Sequence, residues 1–359
     1  MAEQLSDYQG NLLIPKVSVV PTLTSGIKIG EINGTPLYAP SGGEVNVTQT
    51  LLSGVEIGRI NDIPLYAPSG GGGGGGGSSK PMDGKTILLC GDSQLGQGQD
   101  IDQRVQAIVG GTVYNLGFGG CRMSYRQADG NSTYDPFSMV GVALALTTGD
   151  FSAMDAALPN IRTDYFANTV AELKTIYNNG LPAYGANFIL SIAYSSNDFS
   201  GGVPMGDPNG YDKTTFKGAI NWAVKTLLET YPRLTILLVG TPMRYYGIDA
   251  SEVNNYPPEA IYEKVSQSTG VTNYYVHSDY YVKTQEVDGQ QVDYKRVDYN
   301  DAVLEQAKLL SIPCFDLYRR SGRNKWNVWT LCSSDGTHPT TPAGRQAAAN
   351  FYAKILQTF

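Results

Sequence analysis

A serine that could serve as a nucleophile stands in Gly91-Asp92-Ser93-Gln94, directly after an apolar run at 86–90. A hydroxyl is a weak nucleophile until a neighbouring base takes its proton, and that base must itself be oriented by a third group. The chain has two histidines, His277 and His338. His338 falls in Asp335-Gly336-Thr337-His338-Pro339, where an aspartate three residues earlier in a turn can contact the second ring nitrogen. The spacing makes His338 the candidate base and Asp335 its orienting carboxylate. His277, in a tyrosine-rich stretch, reads as structural.

Two more segments place polar groups after apolar runs. The run at 112–115 leads into Leu116-Gly117-Phe118-Gly119-Gly120-Cys121, whose glycines would let backbone N–H groups approach an anion. A tight turn without a ligand is the plainer reading of the same residues. The run at 188–193 ends in Tyr194-Ser195-Ser196-Asn197-Asp198, which offers the Asn197 amide as a donor or merely as a loop cap. Gly-Asp-Ser taken alone could equally be a helix N-cap pair.

Strand-like runs at 86–90, 112–115, 188–193, 234–239 and 314–317 alternate with helix-period segments at 165–177, 216–231, 301–310 and 342–356. The first two helices repeat apolar residues on one face: Phe166, Val170, Leu173 and Tyr177, then Phe216, Ile220, Leu227 and Tyr231. The last helix carries Pro342 in its first turn. Alternation of this kind predicts an α/β fold with a parallel sheet covered on both faces. Such sheets hold their chemistry beyond the carboxyl ends of the strands; three of the polar segments fall there, and the fourth just before the last helix.

In that order and placement the segments resemble the sequence blocks of the SGNH (GDSL-like) hydrolase family, over roughly 85–356. Ser93 matches the first block, Gly120 the second, Asn197 the third, and Asp335 with His338 the last. The third block usually carries a glycine where Ser195 stands. The resemblance implies a three-layer, flavodoxin-like α/β/α fold and a serine esterase without cofactor or metal. It also implies an oxyanion hole built from the Ser93 and Gly120 N–H groups and the Asn197 amide.

The stretch 244–300 exceeds a minimal connection and holds 10 of the 24 tyrosines. Its pairs include Tyr274-Tyr275, which could stack on sugar rings or pack a hairpin onto the domain. The four cysteines show no metal-ligand spacing, and Cys90 and Cys314, each in or beside an apolar run, are expected to be buried free thiols.

The first 80 residues read differently. Segments 25–43 and 53–71 are two copies of one unit, offset by 28 residues and identical at 14 of 19 positions. Each predicts a β-hairpin turning at Asn-Gly or Asn-Asp. A lone hairpin cannot bury its apolar face, so the units are expected to pack on other chains or on another protein. A glycine run with two serines, at 70–79, predicts a tether between an anchor at 1–69 and the hydrolase-like region at 80–359. The repeats resemble short units of gut-bacteriophage and prophage structural proteins. That likeness implies a tail-fibre or other virion location, contact with virion proteins through 1–69, and a homo-oligomer formed there.

A net charge of −7 gives no footprint for nucleic acid. No basic-then-apolar leader and no membrane-length apolar run is visible. The expected activity is removal of acyl groups, acetyl above all, from bacterial surface glycan. The rival readings are a silent glycan-binding module and a lipase or thioesterase, the latter disfavoured by the lack of an apolar lid segment.

Overall fold

The structure is a computed structural model. It describes four amino-terminal strands, at 27–32, 35–39, 55–60 and 63–67, and residues 80–359 apart from 97–99, 162–164, 181–186, 267, 325 and 333–334. The chain divides into two units, Met1–Gly77 and Ser78–Phe359. The expected tether at 70–79 and the side chains of the repeats lie outside the described residues.

In the first unit β1 (Ile27–Ile32) pairs antiparallel with β2 (Thr35–Ala39), and β3 (Val55–Ile60) with β4 (Ile63–Ala67). Each hairpin shifts register at the same repeat position, between Lys28 and Gly30 and between Glu56 and Gly58. The two copies also pair with each other, Glu31 opposite Arg59, giving the order β2-β1-β3-β4. Each hairpin thus has a neighbour within the same chain, where a partner in other chains or another protein was expected.

The second unit is built on five parallel strands: β5 (Thr86–Gly91), β6 (Thr112–Gly117), β7 (Phe188–Ala193), β8 (Thr235–Val239) and β14 (Cys314–Phe315). Their spatial order is β14-β8-β7-β5-β6. Chain order therefore reverses between β5 and β7, and a doubly wound sheet opens its crevice at that switch point. Alternate residues feed separate cores, because a strand sends successive side chains to opposite faces. Leu88, Cys90, Leu190 and Ile192 face one core, and Ile87, Leu89, Ile189 and Leu237 the other.

The first face is covered by α2 (Met139–Thr148), α4 (Tyr165–Asn178), α6 (Phe216–Thr230) and α7 (Arg296–Leu309). The second is covered by α1 (Ile101–Val109) and α10 (Pro342–Leu356). Short helices fill the connections: α3 (Ser152–Ala157), α5 (Ser196–Ser200), α8 (Leu317–Arg320) and α9 (Val328–Leu331). The three-layer α/β/α arrangement is the expected one. Between β8 and α7 the chain adds β9 (Tyr245–Ile248), β10 (Ile261–Val265) and β11 (Thr272–His277), paired as β10-β11-β9. A separate hairpin follows, β12 (Val282–Val287) with β13 (Gln290–Lys295).

One burial expectation fails. Cys90, Cys121 and Cys332 are buried free thiols, but Cys314 is exposed. Its strand is two residues long and lies at the sheet edge, with a neighbour on one side only. No helix among the described residues is long and apolar enough to cross a membrane.

Candidate active site

Ser93 follows β5 in a tight turn. The Leu95 and Gly96 N–H groups donate to the Asp92 carbonyl at 3.1 and 3.0 Å, and the Gln94 N–H donates to the Asp92 carboxylate at 2.9 Å. Asp92 thus closes a turn and caps no helix, since α1 begins only at Ile101 with Asp100 as its N-cap. The Asn115 amide in β6 donates to the Leu95 carbonyl at 2.7 Å and ties the turn to the neighbouring strand. Ser93 itself is 8% exposed.

Across the sequence, His338 brings Nε2 to 2.8 Å from Ser93 Oγ. Its Nδ1 lies 2.5 Å from Asp335 Oδ2. The other Asp335 oxygen accepts the Thr337 and His338 backbone N–H groups at 2.9 and 3.1 Å. One carboxylate thus folds the turn and orients the ring that the turn presents. Gly336 makes this possible with φ +62, in the left-handed region that side chains disfavour. The Trp329 ring packs against it, leaving no room for a Cβ.

Trp329 belongs to an aromatic cluster from the insert and α9. It stacks on Tyr262 at 5.0 Å, meets Tyr275 edge-on at 4.7 Å and carries the Lys264 ammonium 4.5 Å above its ring. Tyr275 therefore packs behind the Asp335–His338 turn. Tyr274 and Tyr275 both line an open groove of about 360 Å³, with Gly247, Asp249, Glu252 and Thr272. Ser93, Gly120, Asn197 and His338 do not line that groove.

The glycine segment after β6 forms a type II turn, with the Cys121 N–H on the Phe118 carbonyl at 3.2 Å and Gly120 at φ +76. The Gly119 N–H is taken by the Tyr165 hydroxyl at 2.8 Å. The Ser93 and Gly120 N–H groups donate to no other described residue. A Cβ on Gly119 would lie 3.6 Å from that of Ser93, so the turn runs beside the serine. Asn197, in α5, donates one amide hydrogen to the Cys121 carbonyl at 2.8 Å, and an amide carries two. Ser195, where the family pattern has glycine, has φ 178, outside the left-handed region that favours glycine.

Asp198 and Arg296 brace this side. The buried Asp198 carboxylate accepts from the Met123 N–H at 2.8 Å, the Ser124 N–H at 3.1 Å and the Ser124 hydroxyl at 2.8 Å. Burial pushes its pKa up to about 6, against the pull of those bonds and of Arg122. Arg296, wholly buried, donates to the Pro242 carbonyl at 2.9 Å, the Tyr246 hydroxyl at 3.1 Å, Ser196 Oγ at 2.8 Å and Thr241 Oγ1. It joins β8 and β9 to the residue preceding Asn197. Asp92 is also buried, and burial raises its pKa while the Gln94 N–H, Arg296, His338 and Arg244 pull it down.

His277 stays apart. Its Nδ1 accepts the Asp279 N–H at 3.2 Å, its ring meets Tyr245 edge-on at 5.2 Å, and burial lowers its pKa against the pull of Asp279. Sequence reasoning missed Tyr165, Arg296 and Trp329. Only tertiary contacts give them work, and no motif marks them.

No protein-family model matches the chain, and no curated protein matches it in sequence. Solved structures do resemble it. A protein from Lactobacillus plantarum is 18% identical, over 76% of this chain and 97% of that one, with a TM-score of 0.44. A possible lipase from Chitinophaga pinensis is 16% identical, over 76% and 98%, with a TM-score of 0.41. A catalytic mutant of an acetylxylan esterase from Geobacillus stearothermophilus is 14% identical, over 76% and 94%, with a TM-score of 0.36. None of these likenesses decides what this chain acts on.

Proposed function

We propose that the chain is a serine ester hydrolase, and that it removes acyl groups, acetyl first among them, from bacterial surface glycan while carried on a virion. The observation that carries the esterase reading is the hydrogen-bonded series Ser93–His338–Asp335 at 2.8 and 2.5 Å, beside two backbone amides that no described residue uses. In this reading Ser93 Oγ attacks the ester carbonyl carbon while His338 Nε2 takes the hydroxyl proton. Asp335 favours the resulting imidazolium. The tetrahedral oxyanion receives the Ser93 and Gly120 N–H groups and the second Asn197 amide hydrogen. Collapse expels the alcohol, which takes the proton from His338. Water then attacks the acyl-serine with the same base, releasing the acid and restoring Ser93.

Virion attachment is supported by the likeness of segments 25–43 and 53–71 to phage structural units. The glycine run that follows them suits a tether. Tyr274 and Tyr275 remain candidates for holding sugar, through the groove that both line.

The test is hydrolysis of 4-nitrophenyl acetate against the octanoate. Acetate should be preferred, and Ser93→Ala should lose about 10³-fold or more of kcat with the fold intact. A variant that keeps a tenth of the activity would remove Ser93 from the mechanism and favour a silent binding module. A preference for octanoate would move the substrate to acyl lipids.

A further inference from the structure

We propose that Arg244 determines specificity by receiving a carboxylate of the substrate, so that the preferred glycan is an acidic, O-acylated one; this rests on the esterase reading above. Arg244 immediately precedes β9, and the N–H of the next residue, Tyr245, donates to the Gly336 carbonyl at 3.4 Å. Its backbone therefore borders the turn that presents His338. Ser278 pins that backbone from the other side, accepting the Arg244 N–H at 3.4 Å and donating its own N–H to the Arg244 carbonyl at 3.0 Å.

The guanidinium lies over the Tyr246 ring, 4.2 Å from its centroid. Tyr246 in turn accepts from Arg296, which reaches Ser196 beside Asn197. Arg244 is thus held between the base and the oxyanion side of the candidate site. Its Nε is buried and has no hydrogen-bond partner, and no described carboxylate forms an ion pair with it. Burial lowers its pKa and Arg296 pulls the same way, against Tyr246, Asp335 and Asp92. Asp335 is already committed to His338 and two backbone N–H groups, and burial drives Asp92 toward its neutral form.

A cation withdrawn from water without an acceptor is costly, and this one belongs to a chain of net charge −7, on the residue next to the one that bonds the Gly336 turn. Its terminal nitrogens donate to no described residue. A guanidinium placed over a tyrosine ring, with no described carboxylate paired to it, suits a carboxylate, which its planar fork can bind through two parallel N–H···O bonds. Uronic acids supply that group on a sugar ring within reach of an ester oxygen.

The experiment compares kcat/KM on acetylated polygalacturonate and on acetylated xylan, with 4-nitrophenyl acetate as a small neutral reference. Wild type should favour the acidic polymer, with a KM that rises steeply with salt on that polymer alone. Arg244→Gln should cut the acidic-to-neutral ratio at least tenfold. Arg244→Lys, which keeps the charge and loses the fork, should fall between, and thermal melts report whether either variant is folded. A ratio that moves less than twofold in folded variants overturns the proposal, as does a wild-type KM equally insensitive to salt on both polymers. Ser93-dependent hydrolysis of 4-nitrophenyl acetate without action on the acidic polymer overturns it too, and leaves the esterase reading standing. Loss of all Ser93-dependent hydrolysis removes both.

Discussion

The two flanks of the candidate site are held by different means. On the Gly120 and Asn197 flank the supports are buried polar groups. Asp198 gathers three donors from Met123 and Ser124, and Arg296 spends its donors on oxygens of four residues. On the His338 flank the orienting carboxylate is itself 45% exposed, and support comes from the Trp329 ring against Gly336. Buried networks fix a geometry strongly but lose much when one member is removed. An exposed carboxylate can be replaced in part by water. The oxyanion flank should therefore be brittle and the base flank forgiving.

The sharpest way to break that comparison is Asp198→Asn. An asparagine has one oxygen for three buried donors, and its own N–H groups would face a donor. The cost should be about 2–4 kcal/mol of stability, with a fall in kcat as the Cys121–Asn197 contact loosens. The pH dependence has a definite sign. With its folded pKa raised to about 6, Asp198 holds its proton more tightly in the folded chain than in the unfolded one. Its contribution is full below the ordinary carboxyl range and is lost as pH rises through about 6. The wild-type lead in Tm over Asp198→Asn should shrink between pH 4 and pH 7. A lead that grows with pH would mean that the carboxylate, not the acid, is the favoured buried form.

A smaller effect is expected on the other flank. Asp335→Asn can still accept the Thr337 and His338 N–H groups, and at this half-exposed carboxyl position water can reach the ring nitrogen's side of the pair. We expect kcat to fall about 10–100-fold, less than the roughly 10⁴-fold that a buried orienting aspartate can command, with Tm lowered by only a few degrees. A loss as large as that of Ser93→Ala, read in the same ester assay, would show that the base flank is as brittle as its opposite.

What the sequence made legible follows the same division. Ser93, Gly120 and Asn197 each stand just past a buried strand, and Asp335 and His338 share one turn, so local pattern could find them. Ser196 and Arg296 are 100 residues apart and meet only because the insert brings α7 back across the strand ends. Trp329 carries no periodicity that would tie it to Gly336. Asp198 looked like part of a polar loop cap, and only the fold shows it turned inward.

The smallest expected effect concerns the second histidine, and it tests whether the base flank extends past its aromatic packing. His277 lies behind Tyr245, whose Cβ in turn lies near Gly336, so the ring could influence His338 only through two packed residues. His277→Ala should change kcat/KM on 4-nitrophenyl acetate by less than about threefold, since no hydrogen bond links it to Ser93 or His338 among the described residues. Stability should respond instead. Burial holds the folded imidazole below its ordinary pKa, so the wild-type chain must give up stability as acid protonates that ring in the unfolded state. Removing the ring removes that term, and the wild-type Tm lead over His277→Ala should widen as pH rises through the imidazole range. A large loss of kcat with an unchanged Tm would give His277 a part in the chemistry and make the aromatic cluster a conduit to the base rather than a wall behind it.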